Sequence, residues 1–576
     1  MLKDVSPEKI KKYTKNELNV LCDKLRLVIY DTVTRCGGHL ASNLGSVESI
    51  VALFYTFDFP NDKIVFDVGH QCYPYKLLSG RYERFSTLRQ AGGISGFPKR
   101  NESEYDSYDT GHAGTSVSAA IGLAKARDLK GEKRNVIAYI GDGSFNNGLV
   151  YEALSSLKIV NTNILIILND NGMSISPTVG GMYDIIAEIK KNGKEENIRL
   201  LESFGLSYVG VKNGNDLEEM LDSVAQAKEM LKNGSVLLHI ATKKGKGYEF
   251  SEEHPTNTHG IPPVGSPKEK EYSEVLGETL CALAEKDPSI TVVSAAMKEA
   301  LGLSEFFKNY PERAFDVGIC EENASVLCAS MAAGGLKPYY AIYSTFLQRA
   351  FDEIIHDICA QDMPVTMCID RAGISGADGE THQGVFDLSY LSFIPNMTIA
   401  VPKDTEELRE MLHFSATYPH PLAIRYPRAG RVLFENGEKT PIVAGKWEYL
   451  HKTNSAKATV LAAGERCLII AMKVLKALEK TGKSFNIVNA RFVKPLDTQM
   501  LQSIDSEYVV TMEDNVALGG FGMMVNGELL RLNKTCKVKN FAYRDEFIPQ
   551  GSVSALQSEY GVDCKEIEKY LLEVLL

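Results

Sequence analysis

The chain has 576 residues, 44% hydrophobic and 24% charged, with a formal net charge of −11. This length suggests three or four domains, and the balance is ordinary for a soluble globular enzyme. The acidic excess argues against a nucleic-acid-binding surface, which wants a basic stripe, and no apolar run approaches the length of a membrane span. The opening residues, MLKDVSPEKIKKYTKNEL, lack the apolar core of a signal peptide, so a cytoplasmic protein is expected. The eleven cysteines are scattered without a Cys-x-x-Cys pair, which suggests reduced thiols and not a disulfide framework.

In chain order, residues 1 to about 35 read as helical, with Leu18, Leu21, Leu25 and Ile29 on one apolar stripe. The Gly-rich turn 37–45 holds His39, and a helix runs on to Phe57. A strand over 63–68 ends in Gly69-His70-Gln71. Gly111-His112-Ala113-Gly114 then precedes a small-residue helix, 117–126. A lone histidine is ordinarily packed or solvated. Three of them after glycines at Gly-rich turns point instead to a site, because a ring nitrogen serves phosphate or carboxylate and titrates near neutral pH.

The central stretch is Asn135 to Pro177. An apolar run, 136–140, ends in Gly141-Asp142-Gly143. An amphipathic segment, 149–159, follows, and a second apolar run, 164–168, ends in Asn169-Asp170-Asn171. This is a strand, a crossover helix and a parallel strand, and ligands in such sheets collect beyond the carboxyl ends of the strands. A carboxylate (Asp142) and a carboxamide (Asn171) there suit Mg²⁺ shared with phosphate oxygens. A helix N-terminus just after Gly143 is expected to favour the phosphate charge.

Residues 184–235 read as helical and charged, and 237–242 as a strand. The basic loop Lys243 to Tyr248 fits either a solvated turn or an edge of a cofactor site. Residues 251–271, rich in Pro, Gly, Ser and charge, read as a domain linker. A second α/β run follows: a helix over 272–285 and strands at 290–294, 314–319, 339–342 and 365–369, closing at Ile424 to Arg428. A third starts near Ala444 and ends in a helix, 564–575. Repeated strand, polar turn and helix mean mostly parallel sheets, so the expected fold is α/β, each sheet flanked by helices.

These strings together resemble a known family: GGHLASNLG (37–45), DVGHQCYPYK (67–76), GGISGFPKRNESEYD (92–106), GDG with LNDNGMSIS (168–176), YSTFLQRAFDE (343–353), DRAGISGADGETHQG (370–384) and IRYPR (424–428). GDG and NDN are similar to the thiamin diphosphate fingerprint of the whole transketolase superfamily. The later strings are more particular to its 1-deoxy-D-xylulose-5-phosphate synthase family. The resemblance covers nearly the whole chain. It implies three transketolase-like domains: 1–250 for the cofactor's diphosphate and Mg²⁺, 272–440 for its aminopyrimidine after the linker, and 441–576 at the C-terminus.

Carried over by resemblance, Asp142, Asn171 and the Met173 carbonyl hold Mg²⁺. His70, Gly111, His112, Ala113, Gly143, Ser144 and Tyr248 contact thiamin diphosphate, and Phe346 packs on its pyrimidine ring. Glu321 is the glutamate that hydrogen-bonds a pyrimidine nitrogen, so that the cofactor itself relays general-base catalysis. Arg371 and Arg428 match phosphate-binding positions, which suits planar guanidinium groups. Arg349 and Tyr343 match residues beside the pyruvate-derived group. His39, His382 and Asp378 match groups that hold it and handle protons, and His259 matches a linker histidine of the substrate site. The implied reaction joins pyruvate to D-glyceraldehyde 3-phosphate with loss of CO₂, giving 1-deoxy-D-xylulose 5-phosphate for isoprenoid, thiamin and pyridoxal synthesis. A homodimer is implied.

Three features depart from the family pattern. Glu322-Asn323 stands where Gln-His is usual, and an inward Glu322 would perturb Glu321. Ala113 and Gly114 stand where hydroxyl residues are common, so a diphosphate contact there falls to the backbone. The chain is short for the family, which points to trimmed loops in the first domain. Two rival readings are ketol transfer of the transketolase type, which releases no CO₂, and a non-catalytic thiamin diphosphate-binding protein, which would predict loss of Glu321 or of the Mg²⁺ ligands.

Overall fold

Short β-branched runs and capped amphipathic helices alternate along most of the chain. The computed structural model describes Lys3 and residues 5–266, 271–432 and 440–576. Residues 267–270 of the expected linker, and 433–439 near the end of the expected second domain, lie outside the described residues. The chain forms two units. The first comprises Met1–Pro267 with Gly318–Cys320 and Ala377–Thr381. The second comprises Lys268–Val317, Glu321–Gly376 and His382–Leu576.

The first unit contains strands β1 (Gly38–His39), β2 (Lys63–Phe66), β3 (Val136–Gly141), β4 (Leu165–Asp170), β5 (Leu206–Asn213), β6 (Ser235–Ala241) and β7 (Gly260–Ile261). Five of them make a wholly parallel sheet in the order β2-β3-β4-β6-β5, and β1 pairs antiparallel with β7. Alternation along β3 and β4 divides the core between the two faces. Ile137, Tyr139, Leu165 and Ile167 join one apolar cluster. Ala138, Ile140, Ile166 and Leu168 join the other.

The helix expected over residues 1 to about 35 is broken: a short helix, Pro7–Ile10, is followed by a non-helical turn, and the long helix Lys15–Cys36 starts afresh from a reciprocal capping box between Thr14 and Glu17. Its predicted stripe of Leu18, Leu21, Leu25 and Ile29 is buried throughout. Truncating one of those leucines to alanine would cost about 2–5 kcal/mol.

Two further expectations for this unit are corrected. The helical reading of 184–235 fails at β5. Helices Gly181–Asn192 and Glu195–Glu202 precede this strand, and Leu217–Met230 follows it. Leu206, Tyr208 and Val209 suit a strand, but β5 is a half-exposed edge with a weak alternation between two charged helices. The helix expected just after Gly143 instead begins at Asp142 and stops at Phe145. A second helix, Gly148–Val160, starts afresh from Asn147, whose side chain accepts the Leu149 amide.

The second unit continues with β8 (Ile290–Ser294), β9 (Ala314–Asp316), β10 (Lys337–Tyr343), β11 (Thr366–Asp370), β12 (Thr398–Ala400), β13 (Leu422–Arg425), β14 (Glu448–His451), β15 (Ala458–Ala462), β16 (Asn486–Asn489), β17 (Phe492–Lys494), β18 (Tyr508–Val516) and β19 (Lys537–Tyr543). One sheet has the order β17-β12-β13-β11-β10-β8-β9 and the other β14-β16-β15-β18-β19. Both are parallel except for the antiparallel pairs β12–β17 and β14–β16. The strand expected over 314–319 ends at Asp316, and Glu321 opens a helix, Glu321–Ala333, instead of ending a strand.

β17, from the third α/β run, joins the sheet of the second. Beside it Arg491, 1% exposed, is ion-paired to Glu407 and Glu448. Lys403 adds a 2.6 Å contact to Glu448, and these cations hold the Glu448 carboxyl down to about 2 against the effect of its burial. Removing Arg491 would leave Glu407 and Glu448 buried with Lys403 as their one remaining cation among the described residues, a costly loss for so buried a cluster. Among the described residues no helix is long and apolar enough to cross a membrane. Among the described residues the eleven cysteines form no disulfide.

Candidate active site

In the first unit the ends of β3 and β4 build a cradle. Their register pairs Gly141 with Asn169, so Asp142 and Asp170 leave the sheet side by side. Asp142 is fully buried. Its Oδ1 accepts the Asn171 amide at 3.2 Å and its Oδ2 the Thr178 hydroxyl at 2.6 Å. Burial, then repulsion from Asp170, pushes its carboxyl up to about 7.

Asp170 escapes that fate. Burial raises it, but hydrogen bonds from His239 and Lys190 outweigh burial and hold it below its usual range. Those contacts are 3.2 Å and 3.1 Å long, and Tyr208 steadies the other nitrogen of His239 at 2.9 Å. Asn171 Oδ1 accepts the Met173 amide at 3.0 Å. Met173 faces Pro177 in a bridge whose two bonds, Ser174 N to Ser176 O and Thr178 N to Gly172 O, leave the Met173 carbonyl outside the pairing.

Lys244 does not fit a solvated turn in the 243–248 loop. It is buried, and its Nζ donates to the Ser174 carbonyl. Burial lowers it to about 8, with Asp142 pulling the other way. Tyr248, further along the loop, meets Tyr30 edge-on with ring centroids 4.8 Å apart.

The three Gly-flanked histidines do not all gather. His39 and His70 do, with centroids 5.9 Å apart, and the third member is His259, at 5.4 and 5.6 Å from them. The β1–β7 pairing, His39 opposite Gly260, brings His259 in. The buried Asn43 ties the turns together. Its amide donates to the carbonyls of His39 and His70, and its oxygen accepts the Tyr73 amide, each at 2.7 Å. Burial, with help from neighbouring cations, pushes the His70 and His259 rings well below their usual value, so both are neutral at neutral pH. Nδ1 of each is buried without a hydrogen-bond partner.

His112 sits apart, its Nε2 2.8 Å from the Thr381 carbonyl. The sequence reading missed Asp67, which organises this corner. Fully buried just after β2, it accepts the amides of Gly114 (2.8 Å) and Ser116 (3.1 Å). The family departure at Gly114 has a local cause. Its φ is +86°, and an added Cβ would lie 2.4 Å from Asn147 Oδ1. Gly111 is equally confined, since a Cβ there would meet Thr381 Oγ1 at 2.2 Å. Ala113 and Ser144 are buried beside these turns.

Asn147 Nδ2 donates to Ile319 O at 2.8 Å, and Cys320 Sγ lies 3.5 Å from Asn146 O. Asp378 is ion-paired at 2.7 Å with Arg89, a residue that sequence reasoning passed over. The chain leaves this unit at Thr381, so His382 belongs to the second.

In the second unit Glu321 is 4% exposed at the first turn of its helix. Its Oε2 is buried without a hydrogen-bond partner, and Arg349 Nη1 stands 3.9 Å away. Burial pushes this carboxyl up to about 7 although Arg349 pulls it down. Glu322, the departure from the family pattern, adds only the smallest push. Phe346 stacks on Tyr343 (5.8 Å, 14°) and meets the His382 ring edge-on at 5.6 Å. The Arg371 guanidinium lies 4.3 Å from the Tyr343 ring centroid, and burial pushes the Tyr343 hydroxyl up to about 12. Arg428 is reached from this column through Glu271, which contacts both arginines.

Among the described residues no three His, Cys, Asp or Glu side chains gather as a metal site. The cradle offers other oxygens: one carboxylate, each of whose oxygens keeps a lone pair after one hydrogen bond, a carboxamide and a carbonyl. Hard oxygen donors in this number suit a cation that keeps ligands from phosphate and water.

Residues 2–199 match the family model described as 1-deoxy-D-xylulose-5-phosphate synthase. Residues 268–430 match the transketolase pyrimidine binding domain and 445–567 the transketolase C-terminal domain. A 1-deoxy-D-xylulose-5-phosphate synthase of Clostridium botulinum is 42% identical over 613 aligned positions, covering 98% of each chain. That of Clostridium beijerinckii is 43% identical, covering 99% of this chain and 98% of its own. These alignments are longer than the 576 residues here, so the relatives carry segments that this chain lacks. A solved transketolase of Campylobacter jejuni is 19% identical with a TM-score of 0.46, covering 97% of this chain and 100% of that one.

Proposed function

The chain belongs to the 1-deoxy-D-xylulose-5-phosphate synthase family, and from that premise we propose that it condenses pyruvate with D-glyceraldehyde 3-phosphate, releasing CO₂ and 1-deoxy-D-xylulose 5-phosphate, with thiamin diphosphate and Mg²⁺ as cofactors. The observation that carries this reading is Glu321. Its buried oxygen lacks a hydrogen-bond partner and its carboxyl is displaced to about 7, as a site complementary to a heterocyclic N–H requires. Bound thiamin diphosphate supplies a nucleophilic carbon and a sink for the electrons freed when CO₂ leaves.

The residues present fit that cofactor. Asp142, Asn171 and the Met173 carbonyl hold Mg²⁺. His70, Gly111, His112, Ala113, Gly143, Ser144 and Tyr248 receive the diphosphate end, with the 111–114 turn acting through its backbone. Glu321 holds or releases a proton at Oε2, and Phe346 offers its face to the pyrimidine. Arg371 and Arg428 bind the aldehyde's phosphate, while Arg349 and Tyr343 position the pyruvate-derived part. His39, His259, His382 and Asp378 hold substrate oxygens and move protons, a task for which His259 is suited by its neutral ring with an open nitrogen. We read the α/β runs as three domains, 1–250, 272–440 and 441–576, in a cytoplasmic homodimer.

Purified protein with thiamin diphosphate and Mg²⁺ is expected to release one CO₂ per 1-deoxy-D-xylulose 5-phosphate formed from pyruvate and D-glyceraldehyde 3-phosphate. Product without CO₂ from a sugar-phosphate donor would mark ketol transfer instead.

A further inference from the structure

We propose that Glu271 is a displaceable internal anion, whose carboxylate stands between Arg371 and Arg428 where the substrate phosphate binds and so sets the strength and selectivity of that site. The inference rests on reading these two arginines as the phosphate pair.

Glu271 Oε1 accepts from Arg428 Nε at 2.9 Å, and Oε2 lies 3.5 Å from Arg371 Nη2. The placement comes from the backbone. Glu271 forms an antiparallel bridge with Ala429, and the Tyr272 amide donates to the Arg428 carbonyl at 3.1 Å. The acid is therefore pinned beside the IRYPR segment, while its side chain stays 27% exposed and that of Arg428 59% exposed. Arg371 has no such freedom. Asp370 Oδ2 holds its Nη1 at 2.7 Å, and its guanidinium lies over Tyr343.

The charges decide the consequence. Two guanidinium groups meet two carboxylates, Asp370 and Glu271, so the cluster is neutral as it stands. Asp370 is fully buried and bound to Arg371, so Glu271 is the acid able to leave. A phosphate dianion gains net attraction only once that carboxylate swings out, leaving the cluster at +1. A weak monoanion competing for the same guanidinium groups gains too little to displace it, and this is selectivity by an opposing interaction.

The test is Glu271→Gln in the full-length holoenzyme, which keeps the size and one acceptor oxygen but removes the charge. The KM for D-glyceraldehyde 3-phosphate is expected to fall by about two- to tenfold, with the KM for pyruvate and for unphosphorylated D-glyceraldehyde unchanged. Calorimetric titration with inorganic phosphate should show tighter binding by a similar factor. An unchanged or weaker phosphate affinity overturns the proposal and makes Glu271 a prop for the arginines. The titration needs no turnover. Tightening in a protein that forms no 1-deoxy-D-xylulose 5-phosphate would keep the anion role and reject the functional reading. Normal turnover without tightening would reject the role of Glu271 alone.

Discussion

Asp142 in the first unit and Glu321 in the second are both buried acids pushed up to about 7, yet their surroundings differ in kind. Both oxygens of Asp142 accept hydrogen bonds, and what presses on it besides burial is a second carboxylate, Asp170. Glu321 has a cation 3.9 Å away, but its Oε2 has no hydrogen bond. Lys244, itself pushed down by burial, leaves the Asp142 carboxyl displaced, and a metal ion bound there would supply the missing positive charge. Oε2 of Glu321 lacks a donor, which a ligand N–H would supply. The same displacement thus marks two tasks, and only the causes of each shift tell them apart.

The comparison breaks first at Glu321. Glu321→Ala is expected to lower kcat by about 10²–10⁴-fold, the usual reach of a proton-transfer group, while thiamin diphosphate still binds by fluorescence titration. Near-normal kcat would remove Glu321 from the chemistry. Asp142→Asn comes next. It should weaken Mg²⁺ binding by at least about tenfold, read as the Mg²⁺ concentration that half-activates, and an unchanged value would exclude Asp142 as a ligand.

The pH dependence of stability sharpens the contrast. Both folded-state values lie above the ordinary carboxylate range, so between about pH 4 and pH 7 these two carboxyls bind more protons in the native state than in the unfolded chain. The share of stability that these two groups contribute in the cofactor-free protein should therefore fall as pH rises through that window, and the difference from an Asp142→Asn, Glu321→Gln double variant isolates it. In urea midpoints, Mg²⁺ should flatten the share due to Asp142 and leave that due to Glu321. No change in slope on adding Mg²⁺ would count against the cradle. The smallest effect is expected for Thr178→Val. It removes one hydrogen bond to Asp142, worth about 1 kcal/mol, and should shift half-activation by Mg²⁺ a few-fold.

Much of the frame was legible in the sequence. The β3 and β4 strands, their crossover helix and the polar strand ends appear as apolar runs broken by GDG and NDN, because a buried parallel strand must be apolar along its whole length. β5 was hidden because an edge strand needs only half that pattern. Asp67, Arg89 and Asn147 were hidden for a different reason. Each acts on a partner distant in sequence, Gly114 and Ser116, Asp378, and Ile319, and no local spacing announces such a pair. His259 shows both sides: it was a histidine in a polar stretch until the β1–β7 pairing set it against His39 and His70.

By itself the sequence determined the chemical inventory: which turns carry carboxylates, carboxamides, imidazoles and guanidinium groups, and that parallel strands deliver them to one kind of edge. Tertiary structure alone decided which of those groups meet a partner and which are left in need of one. Burial and long-range neighbours, not residue identity, lift Asp142 and Glu321 to about 7, hold Asp170 low and leave one oxygen of Glu321 without a donor. The physical reason is that desolvation and Coulomb interaction depend on distance in space, and distance along the chain does not report it.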